Sequence, residues 1–333
     1  MFPGWDVSTR IIFSCSFKSQ LYPYKIKSIT PLYPLLKSVT LYIVCDIEKI
    51  SQQNVLFKLT GIIKMHALLN VAVIAARRAG DSLIRNLNKL DRIRSKATLK
   101  GKNDFVSEAD IVAERIIIET IKKHYPEHAI HAEETGKEGE SDYTWVIDPL
   151  DGTTNFLHGF PIFCVSIALM HKDNIEHAVV YDPIRHELYT ASDGQGAHLD
   201  GRRIRVSGEE DISRALIGTG FPYRESNKNP ESYTNMLNTV IKQTSGVRRP
   251  GAAALDLCYV AAGRLDGFWE TGLSIWDIAG GALIIQEAGG IISDLNGSNN
   301  FLETGDVLCG SPKIHQKLTE LFADDIQTMY KKT

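Results

Sequence analysis

The chain has 333 residues, 43% of them hydrophobic and 23% charged, with a formal net charge of −3. That is enough apolar material for one large domain or two packed halves, and without a basic excess composition does not point to nucleic acid as the main partner. No stretch reaches the roughly 18 apolar residues of a membrane span. Cys15, Cys45, Cys164, Cys258 and Cys309 are odd in number and lack C-x-x-C spacing; three of them, set in apolar runs, read as buried free thiols of a reducing, cytoplasmic compartment.

Residues 1–64 stand apart. Arg10 is offset by Asp6, and Ser14 and Ser16 interrupt the apolar run that follows, which makes a poor signal peptide. Pro23, Pro31 and Pro34 break helical continuity, and Leu41–Val44 fits one short strand. The segment is expected to be a poorly ordered extension, with a real accessory segment as the alternative. From Met65 the chain changes character: Leu68, Leu69, Ala72, Ala75, Ala76, Ala79, Leu83, Ile84 and Leu87 recur at helical spacing. A polar linker runs from Asp91 to Asn103. Ser107-Glu108-Ala109-Asp110 then opens a helix with a capping box that stops at Pro126.

Strands are expected at Ala129–Ala132, Tyr143–Pro149, Phe163–Met170, Ile175–Tyr181 and Glu187–Ala191, with turns at Asp182-Pro183, Asp193–Gly196 and Asp200-Gly201. Near Ser207 the pattern changes. Arg214–Phe221, Leu265–Glu270, Ile291–Leu295 and Asp306–Cys309 read as strands. Pro230–Thr244, Ala252–Ala262, Trp276–Ala288 and Pro312–Phe322 read as helices. The expected architecture is layered α and β, an N-terminal α+β half over 65–206 and a C-terminal α/β half over 207–325, with one sheet in each.

Chemistry concentrates in three acidic patches. In Trp145-Val-Ile-Asp148-Pro149-Leu150-Asp151-Gly152-Thr153-Thr154-Asn155, an apolar strand delivers two aspartates three residues apart and turns at Gly152. Pro149 removes a donor and stiffens the turn, so both carboxylates and the Leu150 carbonyl can converge on a hard cation such as Mg²⁺. Amides after Gly152, at the start of a helical turn, would face a phosphate. An Asp-rich turn with a capping Thr is the competing reading. Ala132-Glu133-Glu134-Thr135 puts an acid at another strand end, and Trp276-Asp277-Ile-Ala-Gly280-Gly281 puts one at a helix start. Taken singly, Glu133 reads as a solvated loop acid and Asp277 as an acid favoured by the helix dipole. Together the three patches favour a metal site. His131 and His158 read as surface or hydrogen-bonded histidines, and no H-e-x-x-H or Cys/His set offers a zinc site.

These three patches resemble the signature motifs of the inositol monophosphatases, and the resemblance runs from Met65 to about Phe322. Lys100–Val106, Arg248–Leu257 and Val260–Phe268 are similar to the proteobacterial SuhB type within that family. The resemblance implies a sandwich of alternating α-β-α-β-α layers of the sugar-phosphatase type. It also implies a Mg²⁺-dependent phosphomonoesterase that splits inositol monophosphate with two to three Mg²⁺ ions. Glu133, Asp148 and the Leu150 carbonyl would hold one ion, and Asp148, Asp151 and Asp277 a second. Asp110 would help hold a third or its waters. Gly152 and Thr153 would receive the phosphate, and Glu133 and Thr153 would orient the attacking water. Glu270, Asp151, Asp277 and the stretch Gly251, Ala252, Ala253 would meet the polyol. The resemblance further implies lithium sensitivity and a homodimer.

Two alternatives stay open. One is a relative acting on fructose 1,6-bisphosphate or a nucleotide 3′-phosphate. The other is a role in transcription or ribosomal-RNA assembly complexes, for which Arg202-Arg203-Ile-Arg205 and Arg248-Arg249 are candidate surfaces and solvated basic faces the plainer reading. Every motif lies after Met65, so a chain starting there is expected to keep its kcat and melt at a similar temperature. A loss of several degrees in Tm would show that the first 64 residues pack on the enzyme.

Overall fold

Side chains alternate across a strand, so a strand buried on both faces feeds two cores at once. β6 (Cys164–His171) does this: Val165, Ile167 and Leu169 enter one apolar cluster while Cys164 and Ala168 enter others on the opposite face. The computed structural model describes residues 52–87, 89–90, 93, 97–101, 104–221 and 230–330. Residues from Gln52 onward form one compact unit.

A small hairpin, β1 (Thr98–Gly101) and β2 (Asp104–Val106), begins within the stretch expected to be linker and ends just beyond it. The larger sheet has eight strands in the order β10-β9-β8-β7-β6-β5-β3-β4. These are β3 (Ala129–Ala132), β4 (Gly136–Glu138), β5 (Tyr143–Asp151), β6, β7 (Asn174–Asp182), β8 (Glu187–Ser192), β9 (Gly196–Leu199) and β10 (Arg202–Arg203). Only β3 and β5 pair in parallel, and that pairing brings their C-terminal ends together. The second sheet is mixed, in the order β12-β11-β13-β15-β14, from β11 (Leu216–Thr219), β12 (Gly246–Arg248), β13 (Gly267–Glu270), β14 (Ile291–Ser293) and β15 (Val307–Gly310).

Helices α1 (Gln52–Leu87) and α2 (Glu108–Lys122) pack together on one face of the large sheet. A five-residue helix α3 (Thr153–Leu157) follows β5. α4 (Pro230–Gln243) and α8 (Pro312–Met329) cover the outer face of the small sheet. Between the sheets lie α5 (Ala253–Ala261) and α6 (Ile275–Glu287); a short α7 (Phe301–Thr304) packs on α6. The order α1/α2, sheet, α5/α6, sheet, α4/α8 is the expected five-layer α-β-α-β-α sandwich.

Paired glycines let the middle layer close. A Cβ on Gly280 would lie 2.6 Å from Ser166 Oγ of β6, and one on Gly281 would lie 2.5 Å from Leu257 Cβ of α5. Each glycine lowers the intrinsic stability of the helix by about 1 kcal/mol. In exchange, α6 sits against the sheet on one side and α5 on the other.

The structure departs from the sequence reading at the front. α1 begins at Gln52 rather than Met65; Thr60-Gly61 and the late onset of apolar periodicity at Leu68 hide its first turns. The Leu41–Val44 strand, the rest of 1–51 with Cys15 and Cys45, and residues 102–103 lie outside the described residues. Cys164, Cys258 and Cys309 are free and buried, as expected. The capping box at Ser107 is formed. Among the described residues no helix is long and apolar enough to cross a membrane.

Candidate active site

In a regular strand, residues three apart point to opposite faces. β5 escapes this rule by a bulge. Asp148 pairs with Ser166 and Asp151 with Cys164, so β5 spends one residue more than β6 over the same stretch. The extra residue turns the second aspartate back to the side of the first. The Leu150 amide donates to Asp148 Oδ1 at 2.9 Å and fixes the turn.

Parallel pairing of β3 with β5 sets Ala132 beside Ile147, so Glu133 emerges next to Asp148, its amide donating to the Ile147 carbonyl at 3.1 Å. Asp277 arrives from the first turn of α6, where its carboxylate also accepts the Ser274 amide at 2.7 Å. Asp148, Asp151 and Asp277 each offer an oxygen within 4.8 Å of the others, and all three are buried. Glu133 and Leu150 line the same cavity, which has a volume of about 390 Å³.

The loop after β5, expected to face a phosphate, is built around Gly152. Its φ is +92°, a left-handed conformation that L side chains rarely adopt. A Cβ there would also lie 3.0 Å from the Ile162 carbonyl oxygen and 3.3 Å from Ala252 Cβ. Asn155 holds this approach, its Nδ2 donating to the carbonyls of Ile162 at 2.8 Å and Pro250 at 2.9 Å. Thr153 Oγ1 lies 3.0 Å from both Asp110 Oδ1 and the Leu150 carbonyl oxygen.

Several expected residues take different places. Asp110 is fully buried and does not line the cavity. Its Oδ2 accepts the Ser107 amide and hydroxyl, and its Oδ1 faces Thr153, so it reaches the site through that hydroxyl. Gly251 and Ala253 line the cavity, but Ala252 is buried beneath Gly152. The amides of Ala253 and Ala254, at the N-terminus of α5, donate to Asp151 at 3.2 and 2.7 Å. Glu270 ends β13 and lines the cavity over Gly220, where any Cβ would overlap its carboxylate.

Arg249 and Phe221 also belong to the wall, with the guanidinium 5.5 Å from the ring centroid. Sequence placed Arg249 in a basic pair and in the Arg248–Leu257 resemblance but gave it no part in the site; nothing local shows that Gly251, two residues on at φ +92°, turns the chain into the cavity. Thr271, Gly272 and Leu273 complete the wall, and no charge or spacing marks them in the sequence. His158 is exposed, and His131 packs edge-on against Trp276.

Electrostatics follow from this crowding. Burial, then the charges of Glu133, Asp151 and Asp277, raise the Asp148 carboxyl well above its usual range. Burial and Asp277 push Asp151 up to about 7, against the lowering pull of the α5 amides and of the Cys164 thiol, 3.6 Å away. Burial also raises Asp110 despite its hydrogen bonds from Ser107 and Thr153. Asp148, Asp151 and Asp277 form a buried, oxygen-only donor set, which fits a hard divalent cation.

Residues 64–329 match the model of the inositol monophosphatase family. The chain is 52% identical over 259 residues to a Pseudomonas aeruginosa protein named Nus factor SuhB, covering 76% of this chain and 95% of that one. Among solved structures it is similar to the extragenic suppressor protein suhB of Bartonella henselae, with a TM-score of 0.74, 43% identity, and coverage of 77% of this chain and 98% of that one. It is also similar to an inositol monophosphatase from Anabaena, with a TM-score of 0.69, 37% identity, and coverage of 78% and 97%.

The raised carboxyls set a pH dependence. With folded pKa values above the unfolded ones, Asp148 and Asp151 hold protons that the unfolded chain has released. In EDTA their contribution to stability therefore falls as pH rises from the ordinary carboxylate range through about 7. A cation displaces those protons. Saturating Mg²⁺ should raise Tm by about 5 °C at about pH 8 and by clearly less at about pH 5.5. Equal gains at the two pH values, or none at either, would contradict the metal assignment.

Proposed function

The chain belongs to the inositol monophosphatase family and is a phosphatase of that superfamily; we propose that its substrate is an inositol monophosphate or a related polyol phosphate and its cofactor Mg²⁺. The observation that carries this reading is the convergence of Asp148, Asp151 and Asp277 within 4.8 Å in a cavity that Glu133, Gly152, Thr153 and Glu270 also line. Glu133, Asp148 and the Leu150 carbonyl would hold one ion, and Asp148, Asp151 and Asp277 another. Bound Mg²⁺ would supply Lewis-acid stabilisation of the attacking and leaving oxygens and a lowered pKa for water.

The residues do the rest. A dianionic ester repels an incoming nucleophile, so orientation matters as much as charge. Thr153 has one hydroxyl proton and two acceptors within reach, Asp110 Oδ1 and the Leu150 carbonyl oxygen. Its proton is thereby engaged, which leaves an oxygen lone pair to accept a hydrogen bond from water. Glu133, held beside Asp148 by strand pairing, would take the other proton of that water. The Gly152 and Thr153 amides would receive phosphate oxygens at the turn into α3. Glu270, set over Gly220, would accept hydrogen bonds from polyol hydroxyls.

A second reading rests on the name Nus factor SuhB carried by the 52%-identical relative: the chain also serves in a transcription complex. An Asp151→Asn variant separates the two, since capture of transcription-complex components from lysate that survives loss of turnover supports a second role.

Phosphate release from inositol monophosphates, fructose 1,6-bisphosphate and nucleotide 3′-phosphates, with Mg²⁺ or EDTA, tests the enzyme reading. The inositol esters should be preferred, EDTA or tens of millimolar Li⁺ should suppress turnover, and Asp151→Asn should lower kcat by about 100-fold or more. Near-normal turnover of that variant at saturating Mg²⁺ would sink the site assignment. We also propose a homodimer, by family likeness; sedimentation showing only monomer at micromolar concentration would refute it.

A further inference from the structure

We propose that Glu114, outside the cavity, is a positioning residue that sets the reach of Glu133 into it. The proposal rests on the role given above to Glu133. Glu114 lies on α2, one turn after Asp110, and is 1% exposed. A carboxylate so deep requires partners. Its partners are two successive backbone amides: Glu134 N donates to Oε2 at 2.8 Å and Thr135 N to Oε1 at 2.9 Å.

The preceding amide, that of Glu133, donates to the Ile147 carbonyl of β5 at 3.1 Å. Three consecutive amides leaving β3 are thus tied down, one to the strand that carries Asp148 and two to Glu114. A turn leaving a strand normally gives such amides to water and keeps its freedom. Here a two-oxygen anion grips them, and charge-assisted bonds of this kind are short and directional. Glutamine would keep the shape but offers one acceptor oxygen, and its NH₂ would face an N–H donor.

Glu114 is also the i+4 neighbour of Asp110, so the two project from one face of α2. Asp110 faces Thr153 Oγ1 at 3.0 Å, while Glu114 holds the turn of Glu133. One helix face thereby sets the spacing of the two groups proposed to hold the attacking water. Loss of Glu114 should act on the chemical step and on cation binding, leaving the polyol contacts of Glu270 in place.

The test is Glu114→Gln in the full chain, compared with Glu133→Gln and the double variant. In Glu114→Gln, kcat should fall about 30-fold, the half-saturating Mg²⁺ concentration should rise about tenfold, and KM should stay within about twofold. In the Glu133→Gln background the same change should add no more than about twofold, because Glu114 acts through Glu133. An unchanged kcat with a lowered Tm, or effects that multiply in the double variant, would overturn the proposal. If the Gln variant does not fold, Glu114→Asp, which keeps the charge but loses reach, is scored by the same criteria. If the wild-type chain releases phosphate from no ester, the proposed function fails by itself. Positioning is then judged by Mg²⁺ titration of Tm: Glu114→Gln and Glu133→Gln should weaken binding alike, and wild-type affinity in Glu114→Gln would refute it.

Discussion

Like charges held close together inside a protein set the terms for everything around them. Asp148, Asp151 and Asp277 are buried with oxygens within 4.8 Å, where two carboxylates repel by about 4 kcal/mol even at an effective dielectric of 20. Each meets a backbone donor: Leu150 N for Asp148, Ala253 and Ala254 N for Asp151, Ser274 N for Asp277. Those donors come from the bulge of β5, the N-terminus of α5 and the N-terminus of α6. The site therefore fixes where both central helices begin.

This explains why α5 and α6 lie where they do. Their N-termini carry partial positive charge toward the acids, and their bodies pack through Gly281 against Leu257 and through Gly280 against Ser166. Asn155 adds a staple between the loop after β5 and Pro250, just before α5. The acids of β5 and α6 share one cavity with Glu270 from the end of β13, and the missing Cβ of Gly152 lets its turn close on Ile162 and Ala252.

Outside the cavity, α2 holds two segments that reach it, the turn after β3 and the start of α3. Asp110 and Glu114 are both buried and both engaged by groups from distant segments. Buried carboxylates with such partners are hard to replace, since a missing acceptor leaves donors stranded. Phe221, Arg249 and Thr271–Leu273, by contrast, line the cavity itself.

By itself the sequence determined most of the longer elements and the identity of the acids, though not the first turns of α1 or the β1–β2 hairpin. The apolar runs Phe163–Met170 and Ile175–Tyr181, the turn signal at Asp182-Pro183 and the capping box at Ser107 are local signals, and each marked an element that the structure forms to within a residue or two. Asp148, Asp151, Glu133 and Asp277 were legible because three acidic patches each fall at an element boundary, with Gly152 after Asp151 and Trp276 before Asp277. Tertiary structure decided what depends on residues far apart. The parallel register of β3 and β5 puts Glu133 beside Asp148, and the bulge, visible only against β6, turns Asp151 to the same side. The reach of Arg249 into the wall, the withdrawal of Ala252, and the grip of Glu114 on a turn 20 residues away follow from packing. No spacing in the chain encodes them, because they are set by which helix face meets which strand end.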